Sequence, residues 1–212
     1  ELNKRFFTFH EKKRPYVILK WAQSKDGYIF PDAKIAQKGL PFWISNSYSL
    51  QRVHQWRAEE ASILVGKNTV QQDNPKLNVR DFSGNSILRI AIDRKLELSH
   101  SMNFFDGSSD TIIYNESKDE IIGQLSFVKL DFSEDIIAQI MQDLYEKEIQ
   151  SLIVEGGAYT LNSFIGSGCW DEARVFRGSQ YFEKGLKAPE IDAEQVDKEQ
   201  IDDNLLCIHK YN

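Results

Sequence analysis

Cysteine is nearly absent from this 212-residue sequence: Cys169 and Cys207 are the two, and no Cys-x-x-Cys pair occurs. The four histidines, His10, His54, His100 and His209, are scattered without the spacing of a metal site. Neither a disulfide framework nor a structural zinc centre is therefore expected. Long hydrophobic runs are missing too. No stretch approaches the roughly 18 apolar residues of a bilayer span, and no signal-peptide pattern is present, so a cytoplasmic location is expected. There is no cationic surplus: 26 Lys and Arg stand against 32 Asp and Glu, a net charge of −6. A general attraction to nucleic acid or to anionic membranes is not expected. One cationic cleft for a phosphorylated small molecule remains compatible with that balance. Internal repeats and low-complexity segments are also lacking.

What is present reads as alternating strands and helices. "YVILKWA" from Tyr16 is a nearly continuous apolar run, the mark of a strand buried on both faces. Asp26-Gly27 signals a turn after it. Ser47 is a candidate cap for a helix with Leu50, Val53, His54, Arg57 and Ala61 on one stripe. "SILVG", "ILRIAID", "TIIYN", "SFVKLDF" and "SLIV" supply further strands, and "ARVFRG" and "LLCIHKY" later ones. Between Ser133 and Glu148, Ile136, Ile137, Ile140, Met141 and Leu144 recur at helical spacing with Ser133 as cap, and residues 159 to 166 form a short helix. The order predicts one α/β domain with a largely parallel central sheet and antiparallel strands near the C-terminus. Residues 1 to 14, "ELNKRFFTFHEKKR", are charged and aromatic without strand alternation and are expected to be a linker or arm. Residues 15 to 212 are the expected domain.

In such sheets ligands gather at the carboxyl ends of strands. Ser24 to Gly27, Gly66 to Thr69, Asp93-Arg94 and Glu155 to Thr160 all fall at such ends. Glu155-Gly156-Gly157 stands out because paired glycines either provide positive φ for a tight turn or let an anion approach backbone amides at a helix start. Lys20 is a cation inside an apolar strand, expensive unless it has a partner, a task or a path to water.

Three stretches taken in order, "LKWAQSKDGYI", "FWISN…VHQWRAEEASILVGKNTVQQDNPKLNVR" and "LIVEGGAYTLNSFIGSGCWDEARVF", resemble the reductase domain of the bifunctional riboflavin biosynthesis protein. The resemblance covers nearly the whole chain. It implies a dihydrofolate-reductase-like fold, NADPH as cofactor, a homodimer, and a deaminase domain in the full-length parent, to which residues 1 to 14 would be the joint. The implied reaction reduces the ribosyl group of 5-amino-6-(5-phosphoribosylamino)uracil to ribityl, with hydride delivered to C1′. The deaminase signature H-x-E with P-C-x-x-C is absent from these residues.

Carried over by position, the resemblance implies substrate contacts at Arg57, Leu77, Arg80 and Glu155, with Leu77 acting through its backbone. Lys20 and Asp73 are the implied groups nearest the chemistry. Cofactor contacts are implied at Ala22, Trp43, Thr69 and Asp73, then along Gly156, Gly157, Ala158, Tyr159, Thr160, Leu161, Asn162 and Ser163. Arg94 is expected to pair the 2′-phosphate that separates NADPH from NADH. Each has a plainer reading: a solvated helix residue for Arg57, a turn cap for Asp73, core packing for Leu77 and Trp43. The sequence departs from the commoner pattern at Pro41, where a serine is usual, at Asn74 in D-D-P, and at Asn78 in L-T-V-R. Two other readings stay open: a pterin or folate reductase of the same fold, and a non-catalytic nucleotide-binding domain retained for assembly.

Overall fold

The computed structural model describes residues 3–32, 44–79, 82 and 86–211. Trp43, Arg80 and Pro41 lie outside the described residues. A helix, α1 (Lys4–Lys12), precedes strand β1 (Tyr16–Gln23) and the short strand β2 (Tyr28–Pro31). Then come α2 (Ser47–Glu59), β3 (Ser62–Gly66), α3 (Lys67–Asp73), β4 (Leu88–Ile92), a 3-10 turn (Asn103–Phe105) and β5 (Thr111–Asn115). After these follow β6 (Glu120–Ile122), β7 (Leu125–Lys129), α4 (Ile136–Glu146), β8 (Ser151–Gly156) and α5 (Ala158–Ser167). The chain finishes with β9 (Glu172–Arg177), β10 (Gly185–Lys187), β11 (Glu194–Ile201) and β12 (Asn204–Lys210).

Among the described residues a ten-stranded sheet runs in the order β11-β12-β9-β1-β8-β3-β4-β5-β7-β6. All pairings from β9 across to β7 are parallel, while β12, β11 and β6 join antiparallel at the rims. This is the α/β architecture with a largely parallel sheet that the order of elements predicts, and the dihydrofolate-reductase-like fold that the resemblance implies. Side chains alternate across the strands. Val17, Leu19 and Trp21 of β1 and Leu152 and Val154 of β8 face a core shared with α4 and α5. Ala22 of β1 and Ile153 of β8 face the opposite core, roofed by Val53 and Trp56 of α2 and Val70 of α3. Lys20 and Glu155 belong by the same alternation to the α2 face.

Several local expectations are corrected. Asn46, not Ser47, caps α2, its side chain accepting from Ser49 N at 2.8 Å. Asp135, not Ser133, caps α4, accepting from the amides of Ile137 and Ala138. Ser133 is instead held by Asp131. Ala61 is not on the α2 stripe, because the helix stops at Glu59 and Ala61 leads into β3. Residues 67–73, unassigned from the sequence, form α3, which has a single buried residue, Val70, and so no apolar stripe to reveal it.

The N-terminal segment is helical. Helix α1 docks through ion pairs at the amino end of the sheet: Lys4 with Glu172, Arg5 with Glu60. Arg14 just beyond it grips Asp171 with two bonds at 2.6 and 2.8 Å, and Asp171 also accepts from Val17 N at 2.9 Å. Strand β11 is exposed along almost its whole length and carries a register shift between Gln195 and Asp197.

Candidate active site

Three predicted residues meet at one place. Arg57 sits in the last turn of α2 with its neighbour Trp56 fixed in the core. Its Nε and Nη2 donate to the two carboxylate oxygens of Glu155 at 3.1 and 2.7 Å. Lys20 Nζ lies 3.9 Å from Glu155 Oε2. The register Leu19↔Val154 explains why: one step further along each parallel strand brings Lys20 beside Glu155. All three side chains are withdrawn from solvent, at 14%, 12% and 9% exposure for Lys20, Arg57 and Glu155.

The electrostatics follow from one acid between two cations. Burial pushes the Glu155 carboxyl up, but Arg57, Lys20 and, more weakly, His54 overrule it and hold the group at about 2. Burial also lowers the Lys20 ammonium below its ordinary range; Glu155 opposes that and Arg57 adds to it. The cluster is an anion-attracting patch with one excess positive charge, counted as two cations less one carboxylate. Only two of Arg57's five N–H donors are taken by Glu155, and among the described residues the rest of its fork is left for a ligand.

Immediately after Glu155 the backbone opens. Gly156 has φ +123° and Gly157 φ +31°, so the turn demands glycine, and no β-carbon covers the amides. Space is open where a Gly156 β-carbon would point. Helix α5 begins at Ala158 with no side-chain cap, so its first-turn amides stay available to an anion. Two helix starts interlock here. A β-carbon on Gly157 would lie 3.2 Å from Thr69 Oγ1, and one on Gly66 would lie 2.5 Å from Thr160 Oγ1. Gly66 opens the strand-end group Gly66 to Thr69; its φ of −78° is ordinary, so its smallness serves packing alone. We expect Gly66→Ala to cost roughly 1–3 kcal/mol in chemical denaturation, the usual overpacking range, because Thr160 is buried and stiff at χ1. Adding Thr160→Ala should restore most of that loss; no restoration would mean that the crowding lies elsewhere.

The remaining predicted positions divide. Ala22 is half-buried on the α2 face, and Thr69 faces Gly157. Tyr159, 84% exposed, and Asn162 lie on the outer side of α5, while Ser163 bonds back to Tyr159 O at 3.0 Å. Leu161 is turned into the core, which leaves only its backbone for a cofactor. Asp73 ends α3 exposed, with no hydrogen-bond partner among the described residues. Partial desolvation raises its carboxyl above the ordinary carboxylate value. Leu77 packs its side chain into the core from a left-handed backbone, φ +49°. Arg94 ends β4, two strand spacings or about 10 Å from β8. Its Nε donates to Glu116 at 2.6 Å and its guanidinium lies over Phe132. Asn74 is the left-handed cap of α3 and faces away from the cluster, accepting from Asn103 N at 2.8 Å.

With that geometry in place, comparison with known proteins is decisive. The family described as RibD C-terminal domain matches residues 15–182. The chain belongs to this family. RibD of Aquifex aeolicus is 32% identical over 207 residues, covering 93% of this chain and 56% of the relative. A 2,5-diamino-6-ribosylamino-4(3H)-pyrimidinone 5′-phosphate reductase of Archaeoglobus fulgidus is 26% identical, covering 78% of this chain and 80% of that protein. The chain spans about half the length of the RibD relatives, which are 56%, 48% and 50% covered. A Thermotoga maritima diaminohydroxyphosphoribosylaminopyrimidine deaminase/5-amino-6-(5-phosphoribosylamino)uracil reductase superposes with TM-score 0.85 at 29% identity, over 98% of this chain and 59% of that one. Dihydrofolate reductase from Enterococcus faecalis, at TM-score 0.54 and 15% identity, shares the fold with this RibD-type domain.

Proposed function

We propose that the chain reduces the ribosyl group of 5-amino-6-(5-phosphoribosylamino)uracil to ribityl, with NADPH as cofactor. One observation carries the reading: Lys20, Arg57 and Glu155 form a buried, net-positive cluster beside the open Gly156-Gly157 turn. A phosphorylated sugar and a dinucleotide are both anionic, and this is where the molecule offers cations and uncapped amides together. Gly156, Gly157 and the first turn of α5 would hold the cofactor's pyrophosphate, with Thr69 and Ala22 alongside. When bound, NADPH supplies the hydride that C1′ accepts.

The protein's own groups hold and polarise. Arg57 offers its remaining donors to the substrate's anionic oxygens while Glu155 fixes its plane. Lys20, with burial already lowering its proton affinity, donates a proton to the sugar as the ring opens to the imine-like form that C1′ needs. Asp73 at the exposed end of α3 orients sugar hydroxyls. Arg80 completes the substrate set and Trp43 the cofactor set. As in the family, the working unit is a homodimer, which light scattering would read directly.

NADPH absorbance tests the reading, followed with the phosphoribosylamino-uracil and separately with dihydrofolate. Oxidation with the first alone supports it; oxidation with dihydrofolate makes the chain a folate-type reductase, and tight NADPH binding without turnover an idle domain. Arg94→Ala should reduce the preference for NADPH over NADH about tenfold, the scale of one charged hydrogen bond. An unchanged ratio would leave Arg94 as nothing more than the partner of Glu116.

A further inference from the structure

We propose that Arg89 is a positioning residue for the strap formed by residues 74–79, which carries the Leu77 substrate position; this rests on the function proposed above. Arg89 lies inside β4 and is fully buried. Its guanidinium reaches two loops at once. Nη1 approaches Lys76 O at 3.3 Å on the strap, and Asn103 O at 3.4 Å, Asp106 Oδ1 at 2.9 Å and Ser108 Oγ at 3.5 Å on the neighbouring turn. Nη2 donates to Ser109 O at 3.2 Å, and Phe104 lies against the guanidinium at 5.7 Å. The same turn reaches the strap a second time: Asn103 donates its backbone N–H to Asn74 Oδ1 at 2.8 Å and its side-chain amide to Asn74 O at 2.9 Å.

The strap needs such bracing. It contains no helix or strand, and two of its residues, Asn74 at φ +41° and Leu77 at φ +49°, hold left-handed backbone. Non-glycine residues keep that conformation only when their surroundings impose it. Leu77 is anchored in the core and Asn74 by Asn103; the Lys76 carbonyl between them is held by Arg89. The next residue, Asn78, has a buried Oδ1 with no partner among the described residues, an acceptor set in place with its bond unspent. Stability alone is a poor reason for this arginine. Its Nε is buried and has no partner among the described residues, and a well-packed apolar side chain is commonly as stable as a buried ion pair or more so. What an apolar residue lacks is a planar fork that grips two loops together, and lysine lacks it as well.

The test compares the full chain with Arg89→Lys and with Asn103→Ala, the latter at a more accessible position that spares the core. Hydrogen–deuterium exchange of the 74–79 amides reads the brace without any substrate; exchange should quicken in both variants while β1 and β8 stay protected. Steady-state kinetics read the consequence. The KM for the pyrimidine sugar phosphate should rise about tenfold or more in Arg89→Lys, the scale of lost charged hydrogen bonds, with the KM for NADPH and kcat little changed. Unaltered exchange in 74–79, or a KM for the sugar phosphate equal to that of the wild type, overturns the proposal. Wild-type protein that turns over no pyrimidine sugar phosphate sinks the functional reading instead, and exchange alone then decides whether the brace exists.

Discussion

Glu155→Gln is expected to lose both stability and turnover. The exchange leaves two largely buried cations, Lys20 and Arg57, without the carboxylate that lies between them. Removing one partner of a buried ion pair typically costs about 3–5 kcal/mol, because the remaining charge stays desolvated and uncompensated. Turnover should fall about 10²-fold, since the glutamine amide can accept only one of the two bonds that fix the Arg57 plane and small misplacements of binding groups are that costly. The pH dependence gives an independent check. Glu155 has an ordinary value near 4.5 and a folded value of about 2, so its folded pKa is depressed. The stability it contributes is fully present above about 4.5 and is lost as pH falls from there towards 2. Glu172 and Asp106 are held as low and titrate in the same window, so Glu155→Gln should lose less stability there than the wild type, by the share that Glu155 contributes. Parallel acid profiles for the two proteins would remove Glu155 from its central place.

Lys20→Met should separate stability from chemistry. Burial is the largest influence on Lys20, and it penalises the charged form. Methionine keeps much of the stem's bulk, and Glu155 retains Arg57, so the melting temperature should not drop below that of the wild type. Single-turnover NADPH oxidation should slow by about 10²–10⁴-fold, the contribution expected of a positioned general acid. A rate within tenfold of wild type would make Lys20 a structural counter-ion to Glu155 and hand the proton to another group. One substitution thus costs stability, the other does not, and both cost activity, a pattern that general unfolding cannot produce.

The central strands were legible because burial on both faces leaves an almost unbroken apolar run, as in "YVILKWA" and "SILVG". Against that background Lys20 was conspicuous, and the structure supplies its partner in Glu155. Arg89 sends the same signal from inside "ILRIAID" and is the more deeply buried of the two. It was missed because its partners, a carbonyl on one loop and an aspartate on another, are not neighbours in sequence. Helix α1 escaped for a similar reason. Phe6 and Phe7 stay exposed, and its docking depends on Glu60 and Glu172 far along the chain. Strand β11 shows no alternation because both its faces meet water; its pairing with β12 is what makes it a strand. Caps were misplaced by one or two residues where several polar candidates stood side by side, as at Asn46 and Ser47.

That outermost strand leaves one rim of the sheet with backbone donors and acceptors facing solvent, a ready template for another chain. Its side chains are Glu194, Asp197 and Glu199 against the single cation Lys198, and the irregularity at Val196 breaks the straight ladder that a second strand would need. Like charges along an interrupted border repel their own copies. Resistance to edge-to-edge pairing is thereby written into a stretch remote from the chemistry, with Glu199 also tied to Arg52 of α2.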